Sequence, residues 1–213
     1  MNKLTFEFTT PEIKTEFEWQ LSQEVNVFDG ERLVAKAEFE ILVLNKNRGA
    51  KESYQKLEAL GACDWELPLN LFFTKQNVKA NLAETLSIKT DAKKSQQHIM
   101  LEAISVHEDY RNQGVAKAIL TQIAKEYSKV QSIFTLAMPM SLFVDPDVCE
   151  TEQDRAYYQR LNLVEGEGEC ESEKDSIVSF FQHNHFNVLD IDESLLAEPL
   201  PFTLLVSSPS LLA

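Results

Sequence analysis

Leu4, Phe6 and Phe8 alternate with polar residues, the period of a strand with one buried face. Phe17, Trp19, Leu21, Val25 and Val27 then alternate with Glu16, Glu18, Gln20, Glu24 and Asn26. After Asp29-Gly30, Leu33, Ala35, Ala37, Phe39, Ile41 and Val43 alternate with Lys36, Glu38 and Glu40. The pattern predicts a long hairpin with one wet face. Parity argues for its register, because a slip of one residue turns every side chain over. A two-residue turn at Asp29-Gly30 would put the two apolar sets on opposite faces. A three-residue loop, Asp29-Gly30-Glu31 with a left-handed glycine, pairs Val27 with Leu33, Trp19 with Ile41 and Leu21 with Phe39. The odd loop is therefore expected.

Further on, Ala50 to Leu60 reads as a helix closed by Gly61, and Val78 to Leu86 as a second helix. Pro68 to Phe73 gives no clear pattern. His98 to Val106 is a short, mostly apolar run with β-branched residues at intervals, as in a strand. Val115, Ala116, Ile119, Leu120, Ile123, Ala124 and Tyr127 form one apolar face of a helix. Ser132 to Met138 predicts the next strand. Thr151-x-x-Asp154 can cap a helix running to about Leu161, and Ser172-x-x-Asp175 another running to Asn184. Asn187 to Ile191 and Phe202 to Ser207 suit two last strands. There is no internal repeat and no low-complexity linker. The 213 residues suit a single domain, 1–213, with an insertion around 141–172.

One stretch organises the rest. Between the strand ending at Val106 and the helix opening at Val115 lies a polar turn with Gly114 at its centre. The first N–H groups of a helix have no partner within it, and the helix dipole makes that end positive. Glycine lets a ligand approach the backbone closely. Arg111, just before the turn, can add a charge-assisted hydrogen bond. Strand, turn and helix together predict a phosphate or pyrophosphate cradle.

The residues that form it, Val106-His107-Glu108-Asp109-Tyr110-Arg111-Asn112-Gln113-Gly114-Val115-Ala116, resemble the acetyl-CoA signature of the GNAT N-acetyltransferases. That signature is a strand ending in V-x-P-x-Y/F-R, followed by R/Q-x-x-G-x-G/A. His107 and Glu108 depart from it, and Ala116 takes the small position. The resemblance implies an α/β fold with a GNAT-like mixed, mostly antiparallel sheet flanked by helices. It implies acetyl-CoA as co-substrate, its pyrophosphate held by backbone N–H groups of Gln113, Gly114, Val115, Ala116 and Lys117, with Arg111 and Asn112 beside them. It further implies that the strand edge at Ile104, Ser105 and Val106 pairs with pantetheine. The family's two helices usually precede the hairpin. Here they follow it, so the N-terminal half is atypical and the acceptor pocket cannot be carried over.

The formal net charge of −14 changes the picture of partners. It disfavours nucleic acid, whose affinity comes from Lys and Arg, and favours cationic partners such as amines or basic protein surfaces. The acid is concentrated from Glu165 to Asp175, a run that reads as a solvated loop. No apolar run reaches membrane-spanning length, and MNKLTFEF does not read as a signal peptide. A cytoplasmic location with no membrane partner is expected, and a second copy of the chain is a candidate partner. Cys63, Cys149 and Cys170 have no metal-like spacing, so reduced thiols and no metal are expected.

Acetyl transfer to an amine needs a base for the ammonium, a donor for the carbonyl oxygen and an acid for the departing thiolate. Glu102 resembles the carboxylate that the family often carries on the cofactor strand. His98, four residues earlier, shares its face if the strand has no bulge, and reads as a strand-end surface histidine. The acid has two candidates. The family's motif F-Y-x-x-x-G-F resembles the stretch Ala156 to Leu163, which offers Tyr158 with Asn162 at the glycine position. It also resembles Phe180 to Phe186, which has Phe181 in place of tyrosine and His185 in place of glycine. Order along the chain favours the second, local sequence the first. The expected function is an acetyl-CoA-dependent N-acetyltransferase for a primary amine, small or on a protein. A degenerate GNAT-like module that binds CoA or a protein without catalysis is the alternative. An acidic mimic of nucleic acid would have no use for a pyrophosphate cradle.

Overall fold

The computed structural model describes residues 3–61, 64–88, 94–139, 152–159, 161, 167–191 and 202–213. Most of the insertion expected at 141–172 lies outside these residues, as do Cys63, Cys149, Thr151 and Asn162. The chain forms a mixed α/β fold around one large, mostly antiparallel sheet. Its first strands are β1 (Thr5–Phe8), β2 (Glu12–Ile13), β3 (Gln20–Asp29) and β4 (Arg32–Leu44). Helices α1 (Ala50–Ala59), α2 (Glu66–Leu71) and α3 (Ala80–Thr85) follow, with a small hairpin of β5 (Phe73–Thr74) and β6 (Asn77–Val78) among them. Then come β7 (Gln96–Val106), α4 (Val115–Glu126), β8 (Ser132–Ala137), α5 (Glu152–Gln159), α6 (Glu167–His183), β9 (Asn187–Val188), β10 (Thr203–Ser207) and α7 (Pro209–Leu212). The order across the sheet is β1-β3-β4-β7-β8-β10-β9, with β2 on the same edge of β3 as β1. Only β7 and β8 run parallel.

The hairpin register differs from the expected one. β3 and β4 turn through Gly30 and Glu31, with Asp29 opposite Arg32, so the loop has two residues, not three. Phe28 faces Leu33 but Val27 faces Ala35, which leaves Val34 as the extra residue of a bulge. The bulge restores the parity that an odd loop would have given. Val25, Val27, Ala35, Ala37, Phe39 and Ile41 therefore share one core. Leu21 faces Ile41 and Gln23 faces Phe39, in place of the Leu21–Phe39 pair. Trp19 does not face Ile41; it joins Leu42 and Leu44 in the core on the other side of the sheet.

Both faces of the sheet are covered. Val115, Ile119, Leu120 and Ile123 of α4 pack on one face; Leu57, Trp65, Leu69 and Leu82 from α1 to α3 pack on the other. The face of β4 expected to be wet is thus buried at Lys36 and Glu40, because β4 lies inside the sheet, with Trp65 over Glu40 and Tyr157 and Tyr158 of α5 over Lys36. α2 fills the stretch that showed no pattern. Its Pro68 is the third helical residue, where an N–H has no partner within the helix anyway. Ser172 lies inside α6 instead of capping it, and the acidic run from Glu167 to Asp175 is helical, not a loop. Glu and Lys favour helix, and Ile177, Val178, Phe180 and Phe181 dock the later turns on the core. The strand expected from Asn187 to Ile191 is only Asn187–Val188. No described helix is long and apolar enough to cross a membrane.

Candidate active site

The sheet splits where the cofactor strand was expected. β7 pairs with β8 only from His98 to Leu101, opposite Ser132 to Thr135. Beyond that point β7 stays with β4, and β8 stays with β10. Thr135 Oγ1 donates to the Leu101 carbonyl at 3.0 Å and closes the fork. A cleft of about 550 Å³ opens beyond it. Glu102 to Val106 line one wall, Leu136 and Met138 the other, and Ile177, Phe180 and Phe181 of α6 complete it. His107 N–H bonds the Val34 carbonyl at 2.9 Å, which sets the alternation along β7. The backbones of Ser105 and His107 turn to β4, so those of Ile104 and Val106 turn to the open edge. An extended amide chain can add to such an edge.

The predicted cradle forms the mouth of this cleft. Asn112 and Gly114 both have positive φ, +59° and +78°, and Gly114 is the N-cap of α4. Ala118 N–H accepts no ligand role, since it donates to the Gly114 carbonyl at 2.9 Å; the N–H groups of Val115, Ala116 and Lys117 precede that first helical bond. Nothing lies within 4 Å of where a Gly114 Cβ would stand, so the approach to these N–H groups is open. The Gln113 side chain donates to the Asp109 carbonyl at 2.6 Å and tightens the turn. Arg111 does not point freely at the cradle. Its Nε donates to the Val106 carbonyl at 3.0 Å and its Nη2 to the Leu161 carbonyl.

Glu102 sits at the inner end of the cleft, and a bulge puts it there. Leu101 faces Phe39 and Ala103 faces Glu38, so Glu102 is the extra residue. Its carboxylate lies on the face opposite α4, within a group whose other members come from far along the chain. Lys14 Nζ is 2.5 Å from Glu102 Oε1 and also pairs with Glu40 Oε1. Glu40 Oε2 accepts from Gln20 Nε2 and Trp65 Nε1, each at 2.8 Å. Carboxylate oxygens of Glu40, Asp64 and Glu102 lie within 4.8 Å of one another, close enough to hold a cation, and the Lys14 ammonium pairs with two of them, Glu40 and Glu102. Burial pushes the Glu102 carboxyl up to about 7, and its hydrogen bond with Glu40 adds to the rise, against the pull of Lys14. Glu40 moves the other way. Burial raises it, but hydrogen bonds from Glu102, Lys14 and Gln20 outweigh that and hold it below the usual carboxylate range. Near neutral pH the proton of this pair therefore sits on Glu102. Burial works against Lys14's charge, yet its bonds to Glu102 and Glu40 prevail and keep it an ammonium.

The two tyrosines of α5 reach the same face of the sheet. Tyr158 Oη donates to Glu38 Oε1 at 3.1 Å, opposite the bulge. Tyr157 is buried, with its hydroxyl 2.7 Å from Ser105 Oγ and 3.1 Å from the Ser105 carbonyl. Burial pushes its hydroxyl up to about 12. Lys36 lies over both rings, at 5.9 Å and 5.8 Å. α6 precedes β9 and β10, and His185 after it has φ +64°, the conformation a glycine would take there. Phe181 of that helix lines the cleft. His98 is not a surface residue. It is fully buried on the Glu102 face, with Nδ1 2.8 Å from Ser132 Oγ and Nε2 3.1 Å from the Gln76 carbonyl.

Residues 38–138, from the bulge-facing Glu38 to the far wall of the cleft, match the family described as Acetyltransferase (GNAT) family. These residues are a GNAT acetyltransferase domain. No curated protein matches the chain. Among solved structures, Arabidopsis thaliana NAA60 in complex with acetyl-CoA is similar over 96% of this chain and 96% of its own, at 12% identity and a TM-score of 0.43. Arylalkylamine N-acetyltransferase 2 from Aedes aegypti is similar over 87% of this chain and 73% of its own, at 13% identity and a TM-score of 0.39. Within the GNAT domain the forked sheet, its open edge and the Gly114 turn form one continuous surface. Sequence reading missed Lys14, Glu40 and Asp64, which join Glu102 only through the sheet and α2. The one available signal was Glu40, a carboxylate on the same period-two face as Glu38.

Proposed function

We propose that this protein is an acetyl-CoA-dependent N-acetyltransferase that acts on a primary amine. The observation that carries the reading is the unbroken path from the Gly114 turn along the open β7 edge to Glu102. The fit to CoA rests on the chain's own features. The open approach at Gly114 admits a pyrophosphate to the N–H groups of Val115, Ala116 and Lys117. The open backbone edge at Ile104, together with the N–H of Val106, whose carbonyl Arg111 already occupies, suits the amides of pantetheine. A cleft of about 550 Å³ is in the range of small-molecule sites. Acetyl-CoA supplies the acetyl group, already activated as a thioester.

The residues then divide the work. Glu102, pushed up to about 7, is ionised in a useful fraction of molecules near neutral pH and takes a proton from the amine, directly or through water. Glu40 stays charged and favours a cation beside it. Tyr158, whose hydroxyl donates to Glu38 across the bulge, is the candidate to protonate the departing thiolate. Phe181 cannot do so, although it lies in the stretch that chain order matches to the family's tyrosine motif. That observation favours the second reading, a CoA-binding module without turnover. A thiol-release assay with acetyl-CoA and a panel of amines separates the two. Release that needs both an amine and an intact Gly114 turn is expected. CoA binding without release for any amine would establish the non-catalytic reading.

A further inference from the structure

We propose that Lys14 stands in the place of the acceptor's ammonium, so that the acceptor is a primary amine on an unbranched aliphatic stem and must displace Lys14 to bind. The inference rests on the transferase reading above and deepens it. Two carboxylates, Glu40 and Glu102, pair with one ammonium, a carboxylate oxygen of Asp64 lies within 4.8 Å of theirs, and Glu102 also lines the cleft. Glu40 is built to hold a cation there. It is 2% exposed, and Gln20 and Trp65 hold its second oxygen in place. The carboxylate side of the contact is therefore rigid and pre-formed, which lowers the cost of binding.

The lysine side is not. Lys14 follows β2, two residues at the margin of the sheet that pair only with Leu21 and Ser22. Ile13 is 53% exposed, and the Lys14 side chain 36%. The backbone is tied locally by Lys14 N–H to the Gln20 carbonyl at 3.1 Å. A short, exposed strap of this kind can lift without disturbing the core. An amine that takes its place leaves its ammonium between Glu40 and Glu102, beside the split in the sheet. Lys14 is in this reading a competitor of the substrate for the Glu40–Glu102 pair.

The test is calorimetric titration of 1,5-diaminopentane, with 1-pentanol as control, into the wild-type protein, Lys14→Met and Lys14→Arg. Removing a resident competitor should tighten diamine binding by on the order of tenfold in Lys14→Met, with no gain in Lys14→Arg. Equal affinity in Lys14→Met and wild type overturns the proposal. A second measurement needs no variant. Saturating diamine, but not pentanol, should accelerate amide hydrogen exchange at Ile13 and Lys14 in the wild-type protein, and unchanged exchange overturns the proposal as well. Neither readout requires turnover. Thiol release in the amine panel with unchanged exchange leaves the transferase standing and removes only the displacement. Displacement without release in any assay keeps the amine site and removes the transferase.

Discussion

His98 gives the clearest link between this fold and pH. The imidazole is fully buried between β7, β8 and the small hairpin. Its Nε2 is placed to donate to the Gln76 carbonyl and its Nδ1 to accept from Ser132, which is the bonding of a neutral ring. Burial pulls its pKa from the ordinary 6.5 down to about 4. A depressed value means that the unfolded chain binds the proton more readily, so stability is kept above 6.5 and lost as pH falls toward 4. At about 1.36 kcal/mol per unit, the loss between about pH 7.5 and about pH 4 is roughly 3 kcal/mol from this one residue. Other groups also respond to acid, so the residue must be isolated by difference. Urea unfolding at both pH values, in wild type and in His98→Gln, does this. The wild type should lose roughly 3 kcal/mol more than the variant, whatever the variant's own starting stability. Parallel losses, or an NMR titration of the folded protein showing His98 near its ordinary value, would refute the reasoning.

Gly114→Ala should lower stability by about 1–2 kcal/mol in thermal unfolding, because φ of +78° is strained for any residue with a Cβ. Gly114→Glu should abolish CoA binding, and normal affinity by calorimetry would rule out the cradle. Glu102→Gln keeps the shape and removes the base, so kcat/KM should fall by about 10²–10⁴-fold near neutral pH and less at high pH. The wild-type rate should climb as pH rises through about 7, where Glu102 ionises, and a climb that survives in the variant would assign it to the amine alone. Tyr158→Phe should lower kcat with little change in KM; full activity would reduce Tyr158 to packing on Glu38.

The sequence carried the strand, turn and helix from His98 to Tyr127 in legible form, since each depends on local periodicity. The helix appeared over Val115–Glu126, and the turn glycine has the left-handed φ that the turn requires. The hairpin was legible only to parity. Both an odd loop and an even turn plus a bulge put Val25 and Ala37 on one face, and Val34, the bulged residue, is an ordinary strand former. Glu40 was misread as solvated for the opposite kind of reason. Alternation says which side a residue faces but not what covers that side, and Trp65 covers it. Lys14 and Glu102 are 88 residues apart, so no local pattern could pair them. Tyr158 was legible as a candidate through resemblance, yet its partner, Glu38, follows from the sheet alone.

The bulge at Glu102 means that the chain carries one residue more than its sheet requires. Leu101 and Ile104 belong to the same side of the sheet although three positions separate them, an odd spacing that only the extra residue permits. Deleting Glu102 would bring Ala103 directly after Leu101 and join the two registers of the β4–β7 ladder into one. Each remaining side chain would keep its side. The ladder would close without a bulge, and the fork would lose its carboxylate together with the partner that Lys14 and Glu40 share there. On the proposed reading, fold and reactivity are separable here at a single codon, and the shortened chain is expected to fold and to be inactive.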